Sequence, residues 1–354
     1  MSSSFGKNII CTIFGQSHSE AIGVVIDGLP AGEAINLEQA AAFMRRRRAG
    51  RNPTDTKRRE EDCAKVVSGL HNGFTCGAPL CAVIENNDVR SKDYDQLRQT
   101  PRPGHADFSL AMKHNGYQDA RGGGHSSGRL TAPLCFAGAV CAQILARRGV
   151  FLGAHIIQLG QARANSFDAV KVSAEDLIQA REAEIREAFQ VEMREAAEAR
   201  DSIGGVIECA AIGLPIGLGD PMFDGIENRL SAALFGIPAV RGVSFGAGFG
   251  AAAMRGSQNN DDYIFEDRRV RTKTNHHGGV LGGVTTGMPL ILCAAIKPTP
   301  SIGLPQRSVR MDTRETVPLT IEGRHDACVV PRAVPVVEAV TACVLLDMMK
   351  GSDK

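Results

Sequence analysis

Loops that join glycine or proline to arginine, lysine or histidine recur along this chain, and they constrain it more than any other feature. They are RGGGHSSGR (121–129), RGVSFGAGFG (241–250), NHHGGVLGGVTTG (275–287), KPTPSI (297–302) and GRHD (323–326). Glycine admits left-handed backbone and lets the main chain approach a ligand, whereas proline fixes φ, so these segments are shaped loops between short regular elements. One such loop carries little information. Several non-adjacent ones with the same chemistry point to convergence on one large, multiply charged ligand set. Arginine binds carboxylates and phosphates bidentately through its planar fork, so the ligand is expected to be anionic.

The segments between the loops alternate between strand and helix patterns. Residues 8–14 and 22–27 (NIICTIF, IGVVID) read as strands joined by GQSHSEA, which puts His18 on the connection. Asn36 followed by Gln39 reads as a capping box opening a helix over 37–48, with Arg45 to Arg48 in its last turn, where the helix dipole favours cations. Residues 65–84 read as two strands with a glycine turn and 131–148 as a mostly buried helix. Residues 173–200 read as one exposed, charged helix, 203–217 as a strand pair, 226–236 as a helix, 237–246 as a strand and the last 20 residues as a final helix. No linker or break in composition divides the chain, so a single interlocked α+β domain over 1–354 is expected.

Charge narrows the partners. Forty Lys and Arg against 39 Asp and Glu give a net charge of +1, so no global field draws a polyanion and any anion site must be local. Aromatic residues make up 5% with no Trp, which leaves few platforms for stacking bases. RRRRAGR (45–51) and KRR (57–59) could serve a nucleic-acid-binding module, but that balance argues against one. With no stretch of 18 apolar residues and no signal-peptide pattern, a cytoplasmic protein with no membrane partner is expected. The ten cysteines form no CxxC pair and mostly sit in apolar runs such as LCFAGAVCAQIL, as buried reduced thiols would.

Familiar cofactor motifs are missing. GAGFG has the wrong spacing for a dinucleotide fingerprint, GGGHSSG has the wrong flanks, and the GxxxxGK[ST] phosphate loop is absent. His276 and His277 are adjacent on an extended segment with no carboxylate nearby in sequence, so no metal site is expected. His71, His114 and His155 lack distinctive context, whereas His18, His105, His125 and His325 lie in polar loops. RPGHAD (102–107) sets Arg102 beside His105; by itself this could be a polar surface turn or an anion site with its own proton carrier.

Taken in order, GQSH, RRRR, RPGHAD, RGGGHSSGR, IPAVRGV, LGG, KPTPS and GRHDACVVPRAVP resemble the chorismate synthase family from about residue 8 to 345. The resemblance implies a β-α-β sandwich with antiparallel sheets around a helical layer. It also implies an anti-1,4 elimination of phosphate from 5-enolpyruvylshikimate 3-phosphate to give chorismate, requiring reduced FMN without net redox change. By the same resemblance His105 protonates the departing phosphate, His18 manages the proton on reduced flavin, and Asp326 helps remove the ring hydrogen through flavin N5. Arg47, Arg102, Ser127, Arg129 and Arg324 would hold substrate anions. His125, Ser126, Ser127, Ala239, Gly282, Lys297, Pro298, Thr299, Pro300, Ser301 and Arg324 would hold FMN, and Arg47 is the candidate nicotinamide contact. NADPH enters only indirectly as a source of electrons, an external flavin reductase supplies them, and a homotetramer is implied.

Three departures from the family pattern stand out. The usual GESHG is GQSHS, putting Gln16 and Ser19 where an acid and a glycine are usual. RRRPG becomes RRRRAG, with Ala49 for proline, and an arginine that some members use for a nicotinamide cofactor falls on Pro53. These bear on nicotinamide contacts more than on His18, His105 and Asp326.

Overall fold

The computed structural model describes residues 3–50, 60–87, 99–266, 268–321 and 326–352. Arg324, His325, Pro53 and the KRR run therefore lie outside the described residues. Alternation of apolar residues builds the first sheet from strands β1 (Ser4–Phe5), β2 (Ile10–Gly15), β3 (Ala21–Asp27), β4 (Ala64–Ser68) and β5 (Leu80–Glu85), in the order β1-β2-β3-β5-β4. In β3 the buried side chains Ile22, Val24 and Ile26 repeat with the period of two that sends one face inward. The second sheet comprises β6 (Phe151–Leu159), β7 (Ala162–Arg163), β8 (Gly205–Ile212), β9 (Val240–Phe245) and β10 (Leu290–Ile296), ordered β9-β10-β8-β6-β7. Every pairing in both sheets is antiparallel.

Two apolar helices fill the space between the sheets. Helix α3 (Thr131–Arg147) is buried on nearly every face and packs on both sheets, and α7 (Val330–Ser352) packs on α3 and on β6 and β8. The helices approach so closely that a Cβ on Gly138 would stand 2.2 Å from the Cα of Ala339. One continuous core cluster joins the sheets through residues such as Ile84, Phe136, Ile207, Leu292 and Val337. The result is the expected α+β sandwich. Together with the turn before it, α3 forms a helical stretch, Gly128–Arg147, long and apolar enough to cross a bilayer, but it is a core helix enclosed by both sheets and α7.

Several local expectations are corrected. Helix α1 (Leu37–Arg45) is capped by the Asn36 side chain, which accepts from the backbone N–H groups of Glu38 and Gln39. The reciprocal half of the cap comes from Gln143 on α3, whose Oε1 takes the Asn36 N–H at 2.8 Å, not from Gln39. The helix ends at Arg45 because the next three N–H groups bond three residues back, tightening the chain and turning Arg46 and Arg47 inward. The 65–84 segment adds a small hairpin, Leu70–His71 with Phe74–Thr75, between β4 and β5. The charged stretch is two helices, α4 (Ala174–Glu182) and α5 (Glu187–Glu198), because Ala183 is extended with ψ 133°. Leu177, Phe189 and Met193 are buried from that stretch, so it is amphipathic rather than exposed all round. Residues 203–217 hold one strand, β8, not a pair, since Gly213 turns the chain away with φ 81°. The final helix starts earlier than expected, at Val330. Six of the ten cysteines are buried, whereas Cys63 and Cys76 are exposed because both lie on connections outside the sandwich.

Candidate active site

The RGGGHS segment is the hub. Gly122, Gly123 and Gly124 all have positive φ (60°, 86° and 55°), a run that side-chain-bearing residues adopt at a cost. Without side chains there, two histidines come close. A Cβ on Gly122 would lie 2.4 Å from Cε1 of His18, and one on Gly123 would lie 3.1 Å from Cε1 of His105. His18 is 6% exposed, and the turn carrying it is fixed by the Ser17 N–H to the Gly124 carbonyl. The two departures on this turn are accommodated. Gln16 is exposed, and the Ser19 hydroxyl bonds the Gln16 N–H and carbonyl, pinning the turn.

RPGHAD is no surface turn, because Arg102 is 7% exposed. Its guanidinium grips Asp107 with two bonds, Nε to Oδ2 at 2.7 Å and Nη2 to Oδ1 at 2.9 Å, and Nη1 donates to Ser301 Oγ at 3.1 Å. His105 Nδ1 stands 2.6 Å from Asp107 Oδ1. Burial works against ionising Asp107, but the hydrogen bonds from Arg102 and His105 outweigh it and hold the carboxyl well below the usual carboxylate range. Asp107 was missed as a site residue. The sequence did offer a signal, an acid two residues after the histidine, but not that both neighbours fold onto it.

The KPTPS loop closes over this group. Lys297 Nζ donates to the Gly104 carbonyl, and its own N–H reaches the Ala239 carbonyl at 2.9 Å; Ala239 holds a left-handed φ of 74°. Among the described residues no carboxylate lies within ion-pairing distance of Lys297. Thr299 Oγ1 donates to the Asp326 carbonyl at 2.9 Å, bringing Asp326 beside the loop. Arg332 Nη1 stands 2.7 Å from Asp326 Oδ2, and Arg332 Nε donates to the Arg47 carbonyl.

The arginine run divides. Arg46 pairs with Glu338, a carboxylate buried in α7 that also meets Arg181. Arg47 is 3% exposed and donates to Thr131 Oγ1, Asp62 Oδ2 and the Gly128 carbonyl. Arg129 meets the other oxygen of Asp62 and donates from Nε to Asn86 Oδ1 at 2.9 Å. The helix-end charge cluster is thus largely interior, and Arg46 and Arg47 are not presented to a polyanion. Asp62 was also missed. It has φ 49° and a buried carboxylate; burial raises its pKa, yet the two guanidiniums lower it below the ordinary value overall.

Other expected residues fall near the hub or away from it. His125 donates from Nδ1 to the Gly15 carbonyl at 2.7 Å and bonds Ser3 Oγ through Nε2 at 2.8 Å, and so ties the hub to β2. Ser126 follows it, and Ser127 caps the short turn carrying Arg129. Pro298 and Pro300 shape the KPTPS loop, with Pro300 Cβ 3.6 Å from where a Cβ on Gly104 would stand. Gly282 is the exception. It forms the turn of a hairpin, Val280–Leu281 with Val284–Thr285, packed near Asp220 and Gly225 and preceding the Leu290 end of β10, whereas Lys297 follows the Ile296 end.

No group of three or more potential ligands that could hold a metal occurs among the described residues. His276 and His277 do have a carboxylate partner, contrary to the sequence reading: Asp261 accepts both of their backbone N–H groups. His155 pairs with Glu208 at 3.0 Å, but Phe167 covers the ring and its N–H takes the same Glu208 oxygen. That pair is structural.

What this geometry can do chemically is bind an anion and move protons beside it: an ammonium with no carboxylate partner among the described residues, a fixed guanidinium, two histidines and a carboxylate lie on adjoining loops. Lys297 and the glycine run pressed against two imidazoles fit a phosphate-bearing cofactor and an anionic substrate. The comparisons with known proteins agree with this chemistry. Residues 9–350 match the family model described as chorismate synthase. The chain is 45% identical to a chorismate synthase of Dehalococcoides mccartyi, covering 98% of this chain and 96% of that one. It is 46% identical to one from Thermococcus kodakarensis, covering 97% and 96%. A solved structure titled "Crystal Structure of Chorismate Synthase" superposes with a TM-score of 0.76 at 27% identity, over 98% of this chain and 93% of that one.

Proposed function

The chain belongs to the chorismate synthase family, and from that premise we propose that it eliminates phosphate from 5-enolpyruvylshikimate 3-phosphate to form chorismate, as a carbon–oxygen lyase. The observation that carries the reading is a continuous series of contacts. His18 meets Gly122, Gly123 meets His105, Arg102 meets Ser301, Thr299 meets Asp326, and Arg332 links Asp326 to Arg47. Motifs spread over more than 300 residues are thereby linked by contact, which supports one shared site.

In the reaction the C–O bond to phosphate breaks with its electron pair leaving on the phosphate, a ring C–H is lost, and the electrons of that bond complete a new double bond. Arg102 holds the phosphate and His105 gives it a proton from the imidazole. Asp326, fixed by Arg332, helps remove the hydrogen lost from the ring as a proton, and His18 holds a proton on the opposite side of the glycine hub. Arg47 and Arg129 contribute positive charge from the floor of the site, held in place by Asp62. Reduced FMN, when bound, supplies an electron-rich ring that favours departure of the phosphate without net redox change. Lys297, Thr299 and Ser301 would hold it, with His125, Ser126, Ser127 and Ala239 around them and Arg324 as a further anion ligand. Gly282 would be a further contact to the cofactor, and the chain would assemble as a homotetramer. The chain acts in this reading as one catalytic domain in the cytoplasm, with reduced flavin supplied by a separate reductase and NADPH only as the electron source.

Two substitutions test the assignment. General acids and bases contribute about 10² to 10⁴-fold, so His105→Ala and Asp326→Asn should each lower turnover by that order while FMN still binds. If both fold, bind FMN and turn over at the wild-type rate, the site assignment is wrong.

A further inference from the structure

We propose that Asp107 is a positioning residue for this reaction, holding hydrogen on Nδ1 of His105 so that Nε2 is the atom that hands a proton to the phosphate. The inference rests on the role of His105 given above and goes beyond it. One carboxylate serves two partners. Oδ1 lies 2.6 Å from His105 Nδ1 and accepts from Arg102 Nη2 at 2.9 Å, while Oδ2 accepts from Arg102 Nε at 2.7 Å and from the Arg102 backbone N–H at 3.1 Å. The side chains are only 11% (Asp107), 17% (His105) and 7% (Arg102) exposed, so water competes little for these bonds.

The placement of Arg102 explains why the carboxylate is needed. Its Nη2 is nearly equidistant from the two ring nitrogens, 3.2 Å from Nδ1 and 3.4 Å from Nε2, which sets the guanidinium against the ring face and not in line with either nitrogen. A cation so close opposes charge on the imidazole, yet a general acid must carry that charge before it gives up its proton. Asp107 offsets the guanidinium and accepts the Nδ1 hydrogen throughout. In the charged ring both nitrogens carry hydrogen; Nε2–H is the one transferred, and the neutral ring that remains keeps its hydrogen on Nδ1. The balance is one proton moved from Nε2 to a phosphate oxygen, with Asp107 ionised before and after. The same bidentate grip fixes the guanidinium that would meet the phosphate.

The test is ¹⁵N NMR of protein labelled at histidine, with the His105 signals assigned by their loss in His105→Ala, read beside turnover of Asp107→Asn. The expected wild-type signature above the titration of the ring is the neutral tautomer with hydrogen on Nδ1. Asp107→Asn should lose that preference and lower kcat by about 10² to 10⁴-fold, with a smaller rise in KM. A wild-type His105 with hydrogen on Nε2 alone would overturn the proposal without any variant having to fold. So would wild-type turnover in Asp107→Asn where His105→Ala is impaired, an outcome that leaves the role of His105 standing. Full activity in His105→Ala would instead remove that role, and the inference with it.

Discussion

Replacing Gly122 or Gly123 by alanine gives two variants that differ in one respect. Both glycines hold a left-handed φ, 60° and 86°, so both variants should lose a similar amount of stability, about 1 to 2 kcal/mol for an L residue in that region. Their effects on the histidines diverge. The new methyl at 122 would stand 2.4 Å from His18 Cε1, and since carbon contacts settle near 3.5 Å, the ring must move by about 1 Å. At 123 the nearest atom, His105 Cε1, is 3.1 Å away, and a shift of about 0.4 Å suffices. Each obstructing atom is at the tip of a side chain, so the imidazole moves and the backbone does not. A misplacement of about 1 Å can cost on the order of 10²-fold in rate, so Gly122→Ala should lose about that much turnover and Gly123→Ala several-fold at most. Urea midpoints and initial rates of chorismate formation, measured on the same preparations, separate the two effects. Wild-type turnover in Gly122→Ala, or equal losses in both variants, would refute the reasoning.

Three further outcomes follow from the packing and charge of the site. Gly138→Ala should cost about 3 kcal/mol or more, because its methyl would meet the backbone of Ala339 at 2.2 Å inside a filled sandwich; an unchanged urea midpoint contradicts this. Asp62→Ala leaves Arg47 and Arg129 buried without their shared carboxylate and should cost roughly 3 to 5 kcal/mol, visible as a large fall in the thermal midpoint. The acid side is set by Asp107 and Asp62, whose folded pKa values are depressed: the native state binds fewer protons than the unfolded chain below about pH 4, so stability is complete above that pH and falls as pH drops through the folded values. A urea midpoint that stays flat from pH 5 to pH 3 would contradict that assignment.

Much of this was legible in the sequence where the controlling interactions are local. The hairpin around GQSH, the Asn36 cap, helix α3 and the paired glycine loops all announce themselves within a few residues. The family motifs identified His18, His105 and Asp326, and the structure puts them on adjoining loops. What stayed hidden depends on pairs distant in the chain. Nothing in RRRR says that Arg47 meets Asp62 and Arg46 meets Glu338, so the run read as a helix-end charge cluster. Asp107 is close in sequence to Arg102 and His105, but its double role depends on how Pro103 and Gly104 fold the segment back on itself. The break at Ala183 is equally silent, because the polar residues on either side suit a continuous exposed helix as well as two short ones.

The central claim is a phosphate elimination that consumes no reducing equivalents. The direct measurement is anaerobic incubation of the protein with reduced FMN and 5-enolpyruvylshikimate 3-phosphate, following chorismate, inorganic phosphate and flavin oxidation state together. The account predicts chorismate and phosphate in equal amounts over many turnovers, flavin still reduced at the end, and no product with oxidised FMN in air without reductant. Phosphate released without chorismate, or flavin oxidised in step with product, would contradict it.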